Sequence, residues 1–183
     1  MQTLKPGEWL NDAVIMKYCV EELKKIDPNV LVLDCMIFRQ DYRMPRTLSN
    51  CLYPMFHENW SRIIIPVNRD NNHWTLAVVE RNRNVNCYDS YGGRISEREK
   101  EKIREVIEPV CFPNEELNFV QIDNRIFYRQ TNGYDCGAIV CILAERVCLR
   151  ERLLFRDSLI REWRNNTIEM FRSRINEQNK MQF

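Results

Sequence analysis

Residues 130–137 read Gln-Thr-Asn-Gly-Tyr-Asp-Cys-Gly, and an apolar run, 138–144, follows them directly. Apolar residues recur at positions 139, 140, 143, 144 and 147, which is the spacing of one face of a helix. The Asn-Gly pair is a turn signal, and Asp135 is a residue type that caps helices. The pattern therefore predicts a buried helix that begins at Cys136, on the exposed side of a tight turn.

The position of Cys136 has a chemical consequence. Unpaired backbone N–H groups and the positive end of the helix dipole favour a thiolate over a thiol, and the thiolate is the nucleophile of cysteine enzymes. Cysteine is also among the residue types most often buried, and many cysteines in a reducing cell only fill space. The turn by itself leaves both interpretations of Cys136 open, so the rest of the chain has to decide between them.

The length, composition and net charge are those of an ordinary globular protein. It has 183 residues, 44% hydrophobic and 29% charged, with a net charge of +1. We expect one domain over residues 1–183, with no general attraction to nucleic acid or membrane. The chain contains no stretch of about 18 apolar residues, so no membrane span is predicted. Residues 1–6 show no apolar segment of a signal peptide.

The eight cysteines are spaced in a way that argues against a metal or disulfide framework. No Cys-x-x-Cys pair occurs, so zinc-ribbon and thioredoxin patterns are absent. Cys19, Cys35, Cys87 and Cys141 lie inside apolar runs, as expected for reduced, buried thiols of the cytosol or nucleus. The spacing therefore gives no indication of a metal site.

Alternating apolar patterns and turn signals predict strands in the middle of the chain and helices at both ends. The predicted strands or extended segments are 30–38, 62–67, 73–79, 85–90 and 118–122. The predicted helices run from Asn11 or Asp12 to Asp27, from Ser96 to about 107, from Cys136 to about 150 and from Asp157 to about 176. Residues 39–60 are expected to form a loop with a short helix at 48–56. The order predicts an α+β fold, with the helix of Cys136 across the sheet.

Only two histidines, His57 and His73, could act as a base for Cys136. His57 lies in an irregular region and is expected to be a surface or packing residue. His73 begins a strand, and Asp89 ends the neighbouring strand of a predicted hairpin. Adjacent strands lie about 4.8 Å apart, so the two side chains can meet at the sheet edge. The carboxylate of Asp89 could then orient the imidazole and stabilise its charged form.

Gln130 is a candidate for binding the negative charge that develops on a substrate oxygen. Its side-chain amide and the backbone N–H of Cys136 could be the two donors of an oxyanion hole. Gly137 is expected to leave room for a substrate, and Gly133 to adopt a turn conformation that other residues avoid.

Four segments together resemble the Ulp/SENP family of cysteine proteases, which act on SUMO and related ubiquitin-like modifiers. They are Trp9-Leu10-Asn11-Asp12, His73-Trp74, Tyr88-Asp89-Ser90 with Gly92-Gly93, and Gln130-x-Asn132-Gly133-x-Asp135-Cys136-Gly137. The resemblance covers nearly the whole chain, and the order His, Asp, Gln, Cys differs from the Cys, His, Asn order of papain-like proteases.

The resemblance implies a fold and a reaction. The fold would be papain-like with a rearranged chain order, a central mixed sheet flanked by helices. Cys136 would attack the carbonyl after the modifier's C-terminal Gly-Gly, with His73 as base, Asp89 orienting it and Gln130 in the oxyanion hole. A thioester would form and be hydrolysed, for release of modified lysines or maturation of a modifier precursor. The implied reaction needs no metal and no organic cofactor.

The resemblance also implies substrate contacts. Trp9, which by pattern alone reads as a core residue, and Trp74 would enclose the diglycine in a narrow tunnel. Asp12 would lie where the family contacts the modifier. The implied partner is SUMO or a related modifier, bound by a monomer in the nucleus, the cytoplasm or both.

Other functions stay open at this point. The same fold could act on the Nedd/Rub-type modifier or ubiquitin, or could transfer acetyl groups from acetyl-coenzyme A. It could also be a module that binds a ubiquitin-like protein without cutting it. The chain is expected to be a compact family member or an excised catalytic domain.

Overall fold

A computed structural model describes residues 2–39, 52–53, 56 and 58–180 of the chain. Apart from a short strand at 52–53, its helices and strands match the predicted elements in type and order. The helices are α1 (Asp12–Ile26), α2 (Glu97–Cys111), α3 (Cys136–Leu149) and α4 (Asp157–Lys180), and the strands are β1 (Leu31–Leu33), β2 (Leu52–Tyr53), β3 (Arg62–Arg69), β4 (His73–Glu80), β5 (Asn84–Tyr88) and β6 (Asn118–Gln121). None of the described helices is both long and apolar enough to span a bilayer.

The described strands form one mixed sheet in the order β2-β1-β3-β4-β5-β6. The three central strands β3, β4 and β5 are antiparallel neighbours, whereas β1 runs parallel to β3 and β6 runs parallel to β5. In the register of the sheet Arg69 pairs with His73, and Leu76 pairs with Tyr88. The end of β3, the start of β4 and the end of β5 therefore lie side by side at one end of the central strands. The polar residues of the site are found there.

Both faces of the sheet are covered by apolar side chains. Ile64 of β3 belongs to the cluster beneath α1, α3 and α4, and its neighbours Ile63 and Ile65 belong to a second cluster beneath α2. Because successive side chains of a strand point to opposite faces, a strand buried on both sides needs an unbroken apolar run. This requirement explains the Ile-Ile-Ile sequence of β3.

Helix α3 is apolar around most of its circumference because it lies between other elements. Its residues 136–144 are all buried, and it contacts α1, α4 and β4. A helix that is apolar on all sides is a core helix rather than a surface one. The predicted placement of the Cys136 helix across the sheet is confirmed.

Several predicted boundaries were wrong in detail. The extended segment 30–38 ends as a strand at Leu33 and continues as a 3-10 turn, Cys35–Phe38, because Asp34 accepts the N–H of Met36 and starts that turn. The short helix expected at 48–56 lies mostly outside the described residues, and 52–53 form strand β2 instead. Helix α2 continues past the predicted end at 107, since Pro109 is accommodated near its last turn.

Candidate active site

His73 and Asp89 meet at the edge of the sheet, as the hairpin pattern predicts. His73 is the first residue of β4, and Asp89 follows the last residue of β5. Nε2 of His73 lies 2.8 Å from Oδ1 of Asp89, a short charge-assisted hydrogen bond. The side chains are 12% and 4% exposed, so little water competes for this contact.

The protonation of His73 is controlled by its two neighbours. Burial alone would lower the pKa of the ring, but the hydrogen bond with Asp89 and the interaction with Cys136 outweigh burial and raise the pKa of His73 to about 9. Nδ1 is buried and has no geometrically regular hydrogen bond to any described residue. It is therefore the nitrogen left for Cys136, and an imidazolium beside a cysteine stabilises the thiolate.

Asp89 is held as a carboxylate. Burial would raise its pKa, but hydrogen bonds from His73 and the backbone N–H of Tyr91, together with the charge of Arg69, lower the pKa of Asp89 below its ordinary value. Tyr91 N lies 2.9 Å from Oδ1, and Nη1 of Arg69 lies 2.9 Å from Oδ2. Every oxygen of the carboxylate thus has a partner.

Cys136 begins α3, as predicted, but it does not lie on the exposed side of a turn. Its residue is 3% exposed. Asp135 stands at the N-cap position without making a side-chain cap, since its carboxylate accepts hydrogen bonds from Arg164 and Asn132. The backbone N–H groups of the first turn of α3 therefore stay free of a side-chain cap and point toward the start of the helix.

The glycines of the nucleophile turn have other roles than those expected. A Cβ on Gly137 would lie 2.8 Å from the Cβ of Leu10 and 3.0 Å from Cδ1 of Ile15. The missing side chain makes room for the protein's own α1 segment, so the prediction that it admits substrate was wrong. Gly133 is not among the residues with positive φ, and the expected special turn conformation was also wrong.

Gln130 is buried and oriented by three side-chain contacts. Its Oε1 accepts from Ser90 Oγ at 2.9 Å, and its Nε2 donates to the Tyr91 hydroxyl at 3.1 Å and to the Asn132 carbonyl at 2.6 Å. Both N–H donors are used in this state. An oxyanion would have to replace one of these neutral acceptors, and an oxyanion is the stronger acceptor.

Tyr91 is a site residue that the sequence pattern missed. Its ring lies over His73 with centroids 4.8 Å apart and an interplanar angle of 30°, and its hydroxyl donates to the Asn132 carbonyl. Extending the β4–β5 register beyond Leu76 and Tyr88 brings Tyr91 opposite His73, so the hairpin prediction contained the signal.

The two tryptophans of the predicted tunnel lie in different environments. Trp9 is 48% exposed, which excludes the core position that its pattern alone suggested. Trp74 is 6% exposed, and its indole N–H donates to the carbonyl of Leu10 at 3.2 Å. Asp12 is half-buried, and its carboxylate accepts the N–H of Ala13. The substrate contacts of these three residues stay predictions.

Arg164 of α4 connects the segment before α1 with the nucleophile turn, and no sequence signal indicated it. The residue is 1% exposed, and its guanidinium donates to Oδ1 of Asp135 at 2.7 and 3.0 Å. It also donates to the carbonyls of Thr3, Lys5, Glu8 and Tyr134. The chain leading to Trp9 is thereby anchored next to Cys136.

Among the described cysteines, four differ from Cys136 in that burial is the main influence on their thiols. Burial raises the pKa of Cys35, Cys87, Cys111 and Cys148 to about 12, so these groups stay thiols at neutral pH. The predicted burial of Cys19, Cys35, Cys87 and Cys141 is confirmed. His57, the other candidate base, lies outside the described residues.

Two curated proteins are similar to the chain in sequence. Ubiquitin-like-specific protease 1 of Saccharomyces cerevisiae is 22% identical over 154 residues, covering 77% of the chain and 24% of that protein. Ubiquitin-like-specific protease 1A of Arabidopsis thaliana is 28% identical over 158 residues, covering 75% of the chain and 31% of that protein. The chain thus spans less than a third of the length of these relatives.

Solved structures share the fold. A structure of the SUMO protease Ulp1, with its catalytic cysteine oxidised to a sulfonic acid, has a TM-score of 0.73 at 21% identity, with 89% of the chain and 77% of that protein covered. The C-terminal Ulp1 protease domain in complex with Smt3, the yeast orthologue of SUMO, has a TM-score of 0.68 at 20% identity, with 89% and 76% covered. The predicted α+β fold, a rearranged papain-like one, is confirmed.

The sequence pattern of one protein family matches most of the chain, including all four residues proposed for catalysis. The family is the Ulp1 protease family, C-terminal catalytic domain, and the match covers residues 55–183. It begins after Trp9 and Asp12, whose substrate role rests on the resemblance of their segment alone. The match over well over half of the chain, together with the shared fold, makes this chain a member of the Ulp1 protease family.

Proposed function

We propose that the chain is a thiol protease that cleaves after the C-terminal Gly-Gly of SUMO or a related ubiquitin-like modifier. The observation that carries the proposal is the 2.8 Å contact between His73 and Asp89, with His73 next to Cys136 at the start of α3. Membership of the Ulp1 protease family gives the reaction class, and the complex of a relative with Smt3 supports the kind of substrate.

The first step forms a covalent intermediate. The Cys136 thiolate attacks the carbonyl carbon of the last glycine, and the carbonyl oxygen becomes an oxyanion. The backbone N–H of Cys136 and Nε2 of Gln130 donate to it, with Gln130 exchanging its contact to the Tyr91 hydroxyl. The C–N bond then breaks, and the imidazolium of His73 gives its proton to the leaving amine.

The second step releases the modifier. Neutral His73 takes a proton from water, and the hydroxide oxygen attacks the thioester carbonyl. The C–S bond breaks, a carboxylic acid forms at the modifier's terminus, and the pair of Cys136 and His73 is restored. Asp89 keeps its charge throughout and orients the ring, because its pKa lies below the ordinary carboxyl value.

We further propose that the protein acts as a monomer in a reducing compartment. All four residues proposed for catalysis come from a single chain, which supports a monomer. The seven described cysteines are free, which suits the nucleus or the cytosol. Deconjugation from lysine and precursor maturation use the same chemistry, because only the leaving amine differs.

Covalent trapping tests the proposal. The protein is incubated with SUMO, the Nedd/Rub-type modifier or ubiquitin, each ending in a vinyl sulfone, and the adduct is located by peptide mass mapping. We expect an adduct on Cys136 with SUMO and none on Cys111 or Cys148, whose thiols are the half-buried controls. An adduct with another modifier would change the substrate, and no adduct with any of the three would overturn the proposal.

A further inference from the structure

The side of Asp89 that faces away from His73 is occupied by Arg69, the last residue of β3. Nη1 of Arg69 donates to Oδ2 of Asp89 at 2.9 Å, while Oδ1 accepts from His73 and from the backbone N–H of Tyr91. Because the two oxygens bind partners on different elements, the carboxylate cannot turn without losing contacts on both.

Arg69 is itself held in place by the first turn of α2. Its Nε donates to Oε1 of Glu99 at 2.9 Å, and its Nη2 donates to Oε2 of Glu99 and to the Arg94 carbonyl, each at 3.2 Å. Two parallel hydrogen bonds to one carboxylate fix the plane of a guanidinium as well as its position. Arg69 is therefore oriented by Glu99 before it reaches Asp89.

Glu99 is fixed by the capping box that begins α2. Its Oε2 accepts from the backbone N–H and the hydroxyl of Ser96, at 2.7 and 2.8 Å. Because the Ser96 hydroxyl also accepts the backbone N–H of Glu99, the two residues form the reciprocal capping box of α2. The Glu99 side chain is 8% exposed and paired with Arg69, so its charge is held inside the protein rather than in water.

The contact between Arg69 and Asp89 is closed off by the loop after β5. A Cβ on Gly93 would lie 2.5 Å from Oδ2 of Asp89 and 3.4 Å from Nη1 of Arg69. A side chain at this position would thus push the carboxylate out of line. The Asp89 side chain is 4% exposed and the Arg69 side chain 27%, so the pair is screened less than a surface ion pair.

We infer that Arg69 is a positioning residue of the active site: clamped by Glu99, it holds the carboxylate of Asp89 in the rotation at which Oδ1 meets Nε2 of His73. The inference rests on the proposed function for its effect on turnover. In structural terms, the orientation of the His73 ring is transmitted from the first turn of α2, through a chain of hydrogen bonds, to the start of β4.

The pKa of His73 distinguishes a positioning role of Arg69 from a purely electrostatic one, because removing Arg69 would shift that pKa in opposite directions. The charged and titratable groups around the ring are Asp89 after β5, Cys136 of α3, Tyr91 in the following loop, and Arg69 at the end of β3. If Arg69 acted only as a nearby cation, its removal would raise the pKa of His73. If it positions Asp89, its removal loosens the hydrogen bond to the ring and lowers that pKa.

The test follows the ring of His73 by NMR in the full chain, with ¹⁵N-labelled histidine. Arg69→Met is expected to lower the pKa of His73 by about one unit or more, the effect of a weakened charge-assisted hydrogen bond. Arg69→Lys is expected to shift it less, because a lysine keeps the charge without the planar fork. An unchanged or raised pKa in Arg69→Met overturns the inference.

Two further variants separate positioning from loss of structure. Glu99→Gln keeps the capping box, which accepts Glu or Gln, but weakens the clamp on Arg69, so a smaller downward shift is expected. Arg83→Met removes an exposed arginine paired with Glu115 at 3.0 Å near the opposite end of the sheet, and no shift is expected. A shift in Arg83→Met equal to that of Arg69→Met would assign the effect to general charge and overturn the inference.

Turnover provides an independent readout. With a modifier joined to a lysine as substrate, Arg69→Met is expected to lower kcat about ten- to hundredfold with KM nearly unchanged, since the substrate contacts remain. A change confined to KM would contradict a positioning role. The titration needs no substrate, so a failed inference is distinguishable from a failed proposed function, which would show as absence of any trapped adduct.

Discussion

The two sides of His73 differ in how completely the protein builds them. On the acid side, the carboxylates of Asp89 and Glu99 are 4% and 8% exposed, and each is paired with Arg69. Away from these carboxylates, Tyr91, whose ring lies over that of His73, and Trp9, which is proposed to contact substrate, are each 48% exposed. One side is enclosed and fully hydrogen-bonded, whereas the other presents large apolar surfaces to water.

This difference suggests that one side of the site accelerates the reaction and the other binds the substrate. Preorganised charges and hydrogen bonds stabilise a transition state without rearrangement, so the acid side is ready before substrate arrives. Exposed aromatic side chains gain their contacts only when a partner covers them. Substitutions on the acid side should therefore change kcat, and those on the open side should change KM.

The largest effect is expected at the nucleophile. Cys136→Ser should abolish cleavage while modifier binding persists, because a serine hydroxyl is not ionised near neutral pH. Cleavage is measured with a modifier fusion and binding by calorimetry. Cys111→Ser is the matched control and should behave like the wild type. Cleavage by Cys136→Ser at a rate near that of the wild type would contradict the assignment.

The acid side is tested next by Asp89→Asn. The change keeps the size of the side chain but removes the charge that stabilises the imidazolium, so kcat should fall about 10²- to 10⁴-fold with a modest change in KM. Steady-state kinetics give the two constants separately. Asp123→Asn, which alters an exposed carboxylate paired with Arg125, should leave both unchanged. A rise in KM with kcat unchanged would contradict the role of Asp89 in the rate of the reaction.

Trp74 should behave as a core residue. Trp74→Ala removes a buried indole and its hydrogen bond to Leu10, and we expect it to lower the free energy of unfolding by about 3–5 kcal/mol. Urea unfolding measures the loss, and Trp74→Phe should recover much of it. Unchanged stability in Trp74→Ala would place the ring outside the core.

Trp9 should behave in the opposite way. Trp9→Ala is expected to raise KM about tenfold or more, the usual cost of truncating an aromatic contact residue, with stability changed by less than about 0.5 kcal/mol. Ile126→Ala, at an apolar side chain that is 57% exposed, is the control and should change neither. A wild-type KM for Trp9→Ala would remove Trp9 from the substrate surface.

Local signals predicted the framework of the fold well. Asn11 caps α1 through its side chain, and Asp27 ends that helix, because capping depends on residues within a few positions of each other. His73 and Asp89 are 16 residues apart, but the short turn between β4 and β5 makes the strands neighbours, so their meeting was also predictable. The nucleophile helix was identified from the apolar spacing after Cys136.

Contacts between distant elements could not be predicted in this way. Arg69 and Glu99 are 30 residues apart in the chain, and Asp135 and Arg164 are 29 apart. A single sequence shows that each residue is charged but not which partner it meets. Asp135 illustrates the difference: its residue type fits a helix cap, yet a buried guanidinium takes its carboxylate instead.

The role of Gly137 was mistaken for a related reason. A glycine next to a nucleophile suggests space for a ligand, whereas the space is filled by Leu10 and Ile15. Only the packing of α1 against α3 decides which molecule occupies it. Tyr91 was missed because its neighbours in the motif are the recognisable residues, and its own importance comes from the strand register.

The most direct test of the enclosed acid side is the titration of His73 in the wild-type site. The chain contains two histidines, so His57→Ala leaves a single ring to follow by ¹⁵N NMR. The ring should hold its proton at neutral pH and lose it at about pH 9, and cleavage of lysine-linked modifier should decline over the same rise in pH as the proton donor is lost. A midpoint near the ordinary value of about 6.5 would contradict the account, because Asp89 and Arg69 would then not be holding a charged His73 beside Cys136.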